Sequence, residues 1–189
     1  MATALRADAA RNLELILEAA EEAFAEKGNS ACVADIAARA GVGQATIFRR
    51  FETKDDLIAA VFERKIHQLL AAAEAAARKR RAWDGLLQFM GLVTEFQVRD
   101  RGFFQSMAQQ LLQEDQHLAE LKRQVAETVA SLVERAKAEG DLRQDIVSED
   151  IHAFCCAAAQ AATMGPAPKP KAWKRYLSVM TDGMRVQAS

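Results

Sequence analysis

The stretch IAARAGVGQATIFRRF, Ile36–Phe51, decides how the rest of the chain is read. Two short runs of helix formers, Val33 to Ala40 and Gln44 to about Arg50, flank the break Gly41-Val42-Gly43. Each run is too short to be stable alone, so both need a supporting body. Two helices that cross this closely require a small residue in the first, a residue tolerant of positive φ at the turn, and an inward apolar residue in the second. Ala37, Gly41 and Ile47 stand where those demands fall, with Ile36 and Val42 adding apolar contacts beneath the turn. The pattern is that of a helix-turn-helix.

At about 100° per residue, placing Ile47 inward turns Ala45 and Arg49 nearly opposite it, toward the groove that a recognition helix occupies. Gln44 and Phe48 flank one side of that direction, Thr46 and Arg50 the other. Arg49 is the leading base reader, because a guanidinium pairs bidentately with guanine. Thr46, Arg50 and Lys54 suit phosphates. From Gln44 to Lys54 three cations (Arg49, Arg50, Lys54) face one anion (Glu52), a local charge of +2 in a chain whose formal net charge is -1. Whole-protein charge therefore offers nucleic acid no general attraction, and any duplex contact comes from this cluster. The same basic trio is also what an ordinary solvated helix face looks like; the turn geometry favours the DNA reading.

Outward from the motif, Leu13, Ile16, Leu17, Ala20 and Phe24 repeat at helical spacing from Asn12 to Lys27, with Gly28 as the stop. Thr53 with Asp56 makes a capping box that opens a long helix carrying Leu57, Ile58, Val61, Phe62, Ile66, Leu69 and Leu70. That helix ends near the basic run Arg78 to Arg81, where cations complement the helix dipole. A further helix around Trp83 to Phe96 is interrupted at Asp100-Arg101-Gly102, and Phe103, Phe104, Met107, Leu111 and Leu112 follow. Residues 116 to 139 form a long helix stopped by Gly140, and Ser148 with Glu149 and Asp150 begins the next. Pro166, Pro168 and Pro170 end it, and the 165 residues before them hold no proline. The expectation is an all-α chain of about nine helices, divided into 1–55 for DNA binding and 56–189 for effector binding and dimerisation.

Composition narrows the function classes. With 189 residues, half of them hydrophobic, the chain buries a sizeable core. Cys32, Cys155 and Cys156 form no CxxC pair, so neither structural zinc nor a disulfide framework is expected. No metal and no cofactor are assigned. The N-terminal charges at Arg6, Asp8 and Arg11, and the lack of eighteen uncharged apolar residues in a row, encode neither secretion nor membrane insertion; a cytoplasmic protein with no membrane partner is expected. No GxSxG, HExxH or P-loop stands on a scaffold, so no catalytic residue and no enzyme activity are assigned.

The core ILEAAEEAFAEKG, Ile16–Gly28, followed by DIAARAGVGQATIFRRFETKDDLIAAVF, Asp35–Phe62, resembles the tetracycline-repressor (TetR) family over roughly the first third of the chain. The resemblance implies a one-component regulator: a homodimer that binds a double-stranded DNA operator through its N-terminal domain and an unknown small-molecule effector through its C-terminal domain, acting as a repressor. It places Gly43, Gln44, Ala45, Thr46, Phe48, Arg49, Arg50 and Lys54 at the DNA. The sequence departs from the family pattern at Gly43, where serine or threonine usually caps, at Ala45, where glycine is common, and at Phe48, where tyrosine commonly donates to a phosphate. Ala31 and Cys32 also stand where threonine is frequent.

In the C-terminal half the set Phe89, Met90, Phe96, Phe103, Phe104, Met107 and Phe154 offers apolar walls for an effector, although core packing is the ordinary role of such residues. Ile151, Cys155, Ala158 and Ala162, then Trp173, Leu177, Met180 and Met184, share offsets of four, seven and eleven. Such seams pack against a partner helix, which makes them the dimer-interface candidates. The competing reading keeps the fold and takes the departures at Gly43, Ala45 and Phe48 as lost DNA binding, leaving a helical small-molecule or protein-binding dimer.

Overall fold

Helix boundaries follow from capping chemistry that the sequence carries. In the computed structural model, which describes residues 2–100, 116–164 and 169–186, eight α-helices run as α1 Ala2–Lys27, α2 Val33–Ala40, α3 Gln44–Phe48, α4 Lys54–Ala77, α5 Ala82–Arg99, α6 Gln116–Ala138, α7 Ser148–Thr163 and α8 Trp173–Met184. The chain is all-α, with an isolated antiparallel bridge between Leu142 and Arg185 as the β-type pairing among the described residues. The segment expected to carry Phe103 to Leu112 lies outside the described residues.

At the start of α4 the Thr53 N–H donates to Asp56 Oδ2 at 2.8 Å, and the Asp56 N–H donates to Thr53 Oγ1 at 3.1 Å, closing the capping box read from the sequence. The end of α6 is a Schellman turn: Gly140 takes φ 78°, and the Asp141 N–H reaches back to the Ala136 carbonyl at 3.1 Å. One boundary differs from expectation. α1 starts at Ala2 and not near Asn12, because the alanine-rich leader has high helix propensity although it lacks an apolar stripe. α7 begins at Ser148, where the sequence placed it, and the carboxylate of Asp150 accepts the N–H of Val147 at 2.9 Å.

The described residues divide into two compact units, one holding residues up to Lys65 together with Asp100, the other residues 66–99 and those from 116 onward. In the first, Ile16, Leu17, Ala20 and Phe24 of α1 pack with Ile36 and Ala37 of α2, Ile47 of α3, Phe51, and Leu57, Ile58, Val61 and Phe62 of α4 in one apolar cluster. Burying the inner faces of α2 and α3 against two long helices supplies the stability that neither short helix has by itself. Beside this cluster lies a buried ion pair: Lys65 Nζ donates to Asp100 Oδ2 at 2.5 Å, with the two side chains 1% and 2% exposed. Glu21 Oε2 stands 3.8 Å from the same Nζ. The neighbouring Arg64 joins α4 to Glu14, Glu18 and Glu21 of α1 at 2.9 to 3.2 Å.

The second unit is built around Trp83, Leu86, Phe89 and Met90 of α5, Val129, Leu132 and Val133 of α6, and the inner faces of α7 and α8. Gly85 lets α5 come close to the end of α4: a Cβ there would stand 2.3 Å from the Ala76 carbonyl oxygen. Arg135 of α6 donates to the carbonyls of Ala77 at 2.6 Å and Lys79 at 2.8 Å, satisfying acceptors that the end of α4 leaves open. None of the helices among the described residues is long and apolar enough to cross a membrane.

Candidate nucleic-acid interface

The turn between α2 and α3 is set by backbone hydrogen bonds that only a left-handed residue permits. Gly41 takes φ 68°, its N–H donates to Ala38 O at 3.4 Å, and the N–H of Val42 donates to Ala37 O at 3.0 Å. These two bonds make the Schellman geometry, and a side chain at Gly41 would be strained in it. The chain then leaves in the extended conformation at Gly43, φ −74° and ψ 146°, and α3 starts with no side-chain cap. Its first turn is closed by the backbone alone, Thr46 N–H to Gly43 O at 2.9 Å. α2 is capped by sulfur: the N–H of Asp35 donates to Cys32 Sγ at 3.4 Å.

Salt bridges fix α2 on α1. Lys27 pairs with Asp35 at 2.5 Å, and Arg39 makes a two-pronged pair with Glu26. The Lys27 ammonium, followed by the Cys32 thiol, holds the Asp35 carboxyl below the usual carboxylate range, and Arg39 does the same for Glu26.

Within this frame Ile47 is 1% exposed, and the opposite face of α3 and its following turn is open. Gly43, Gln44, Ala45, Phe48, Arg49 and Arg50 are exposed, while Thr46 is half-buried. Arg49 leans along its own helix, with Nη2 3.5 Å from Thr46 Oγ1. Lys54 is the candidate the structure treats differently. It is half-buried, and its Nζ donates to the backbone carbonyl of Asn29 at 2.5 Å and to Asn29 Oδ1 at 3.1 Å. The ammonium also sits 5.9 Å from the centre of the Phe24 ring. Asn29 escaped the sequence reading because it lies 25 residues from Lys54 and shares no local pattern with it.

The C-terminal candidates fall mostly inside the second unit's own core. Ile151, Cys155, Ala158, Ala162, Trp173, Leu177 and Met184 are all buried in it, and Met180 is partly buried against it. Within the subunit the shared offsets describe the faces that α5, α7 and α8 turn toward one another, because a regular apolar stripe is equally what intramolecular packing needs. Phe89 and Met90 belong to the same core, with Phe154 packed against it. Phe96 is half-buried under the Arg99 guanidinium, 5.3 Å from its ring centre. Phe103, Phe104 and Met107 lie outside the described residues. Burial pushes the Cys155 thiol up to about 12, and its sulfur contacts the Met90 carbonyl at 3.6 Å. Cys156, one residue on, has its sulfur 3.5 Å from His152 Nε2 on the outer side of α7.

Comparison with known proteins gives this geometry a lineage. Residues 16–61 match the bacterial regulatory proteins of the tetR family, and residues 81–186 match the C-terminal domain of SbtR-like transcriptional regulators. An HTH-type transcriptional repressor of Mycobacterium tuberculosis is 42% identical over 73 residues, a stretch covering 36% of this chain and 39% of that protein's length. A TetR transcription regulatory protein from Mycobacterium vanbaalenii superposes with a TM-score of 0.73 at 28% identity, over 96% of this chain and 99% of its own. A TetR regulator from Streptomyces coelicolor gives a TM-score of 0.74 at 24% identity, over 93% and 99% of the two chains. With its helix-turn-helix and the greater part of its C-terminal half both matched, the chain belongs to the TetR family of bacterial transcriptional regulators.

Proposed function

We propose that the chain is a transcription regulator that binds a double-stranded operator as a homodimer and represses until a small-molecule effector releases it. The observation that carries the reading is the division of α3 and its following turn into a buried Ile47 and an open face bearing Gln44, Ala45, Phe48, Arg49 and Arg50. Arg49 addresses guanine, and Arg50 with Thr46 contacts phosphates. Lys54 reaches a phosphate only by leaving Asn29; otherwise its role is to hold the start of α4. In a dimer the two recognition helices enter successive major grooves about 34 to 36 Å apart. With the inner seams of α7 and α8 used within the subunit, dimerisation falls to their outer faces, where Val179 is 67% exposed.

The division of labour is residues 1–55 at the DNA and 56–189 for effector and partner, with Phe96 and Phe154 the half-buried members of the aromatic set. An effector shifts the operator-binding equilibrium only by its differential affinity for the two states. The role is one of binding without turnover, in the cytoplasm. Selection from a random duplex pool tests it. The expected product is a symmetric site, at one position of which Arg49→Ala loses about 1 to 3 kcal/mol of base discrimination. Recovery of no enriched sequence, with wild-type protein folded and dimeric, favours the helical dimer without DNA binding.

A further inference from the structure

The open face of α3 holds a residue whose chemistry suits neither solvent nor a phosphate. Phe48 is 48% exposed, whereas Phe24, Phe51 and Phe62 of the same unit are 0%, 8% and 1% exposed. Its ring carries no hydrogen-bond donor or acceptor, so it cannot grip a phosphate oxygen as a hydroxyl-bearing side chain does. On a helix, Phe48 lies three residues after Ala45 and four after Gln44, which puts all three on one side with Arg49 next to them. The exposed face thus presents an apolar pair, Phe48 and Ala45, between an amide and a guanidinium.

In the major groove the apolar feature of the base pairs is the 5-methyl group of thymine, and the ring of phenylalanine and the methyl of alanine are side chains that meet it. We propose that Phe48, with Ala45 beside it, reads thymine methyl groups, so that each half-site carries a thymine next to the base pair that Arg49 addresses. The inference rests on the DNA-binding reading above. Ala45 has a second part in it: its short side chain lets the helix approach closely enough for the ring to touch the groove floor. Gln44 agrees with the assignment, because its amide matches the N6 and N7 of adenine, the base that pairs with thymine.

Replacing thymine by deoxyuridine removes the methyl and leaves every hydrogen-bonding group in place. With the full-length protein and the duplex recovered by selection, each thymine is exchanged in turn and affinity measured by fluorescence anisotropy. At one or two positions per half-site the exchange should weaken wild-type binding about fourfold, the worth of one buried methyl. Phe48→Ala should bind thymine and deoxyuridine duplexes equally at those positions, and Phe48→Tyr should keep the preference. Circular dichroism should show both variants folded, since the side chain is exposed. Wild-type indifference to deoxyuridine at every position overturns the proposal, as does a Phe48→Ala variant that keeps the full preference. Failure of wild-type protein to retain any duplex at about 50 mM salt is a different result, which removes the DNA-binding reading itself.

Discussion

Ile47 and Arg49 stand two residues apart on a five-residue helix and its following turn, and they meet opposite surroundings. That division was legible from helical spacing alone, because one turn of helix leaves little freedom in where each side chain points. Lys54 was not legible in the same way: its anchor, Asn29, comes from the single 3-10 turn Gly28–Ser30 after α1, and only the folded chain brings them together. Cysteine chemistry also separates by residue. Cys155 is fully buried with its thiol pushed up to about 12, whereas Cys32 is exposed and Cys156 half-buried. At pH 8 a thiol reagent should label Cys32 and Cys156 in the native protein and reach Cys155 only after denaturation, since the thiolate is the reactive form. Mass mapping of the labelled peptides checks this; native labelling of Cys155 would contradict the packing of α7 on α5.

Among the elements, capping signals were more legible than seams. The Thr53–Asp56 box opens α4 where the sequence placed it, because a capping box is local chemistry. The stripes on α7 and α8 have a period but no address, and the period fits an intramolecular neighbour as well as a partner subunit. Gly85 carries the opposite lesson. Nothing in the local sequence marks it, yet it sets how closely α5 approaches the backbone of α4 at Ala76. Gly85→Ala should destabilise the protein by about 1 to 3 kcal/mol through forced backbone shifts, read as a lowered midpoint in urea. An unchanged midpoint would mean that the two helices do not meet there. The Lys65–Asp100 pair was equally hidden, being 35 residues apart. Asp100→Ala leaves Lys65 buried without its nearest partner and should cost about 3 to 5 kcal/mol. The double variant Lys65→Met, Asp100→Leu should recover much of that loss in the same measurement, because it buries no charge. A single-variant cost below about 1 kcal/mol would place the pair in water.

For the whole molecule, a formal net charge of -1 makes the location of charge matter more than its sum. The all-α fold could be read from the run of 165 residues without proline, and the family from the stretch between Ile16 and Phe62. In the long helical half, composition singles out no effector surface, since apolar side chains that line a cavity and those that fill a core obey one composition. The central claim is that the exposed face of α3 is an electrostatic and apolar grip on duplex DNA. The most direct test is the salt dependence of duplex binding by wild-type protein and by Arg49→Ala, Arg50→Ala. With one to two phosphates neutralised per subunit of a dimer, by Arg50 and by Lys54 where it leaves Asn29, log affinity should fall against log salt with a slope of about −2 to −4, and the double variant should flatten it by about two, the share of the two Arg50 side chains. A slope near zero, or one that the double variant leaves unchanged, would contradict the account.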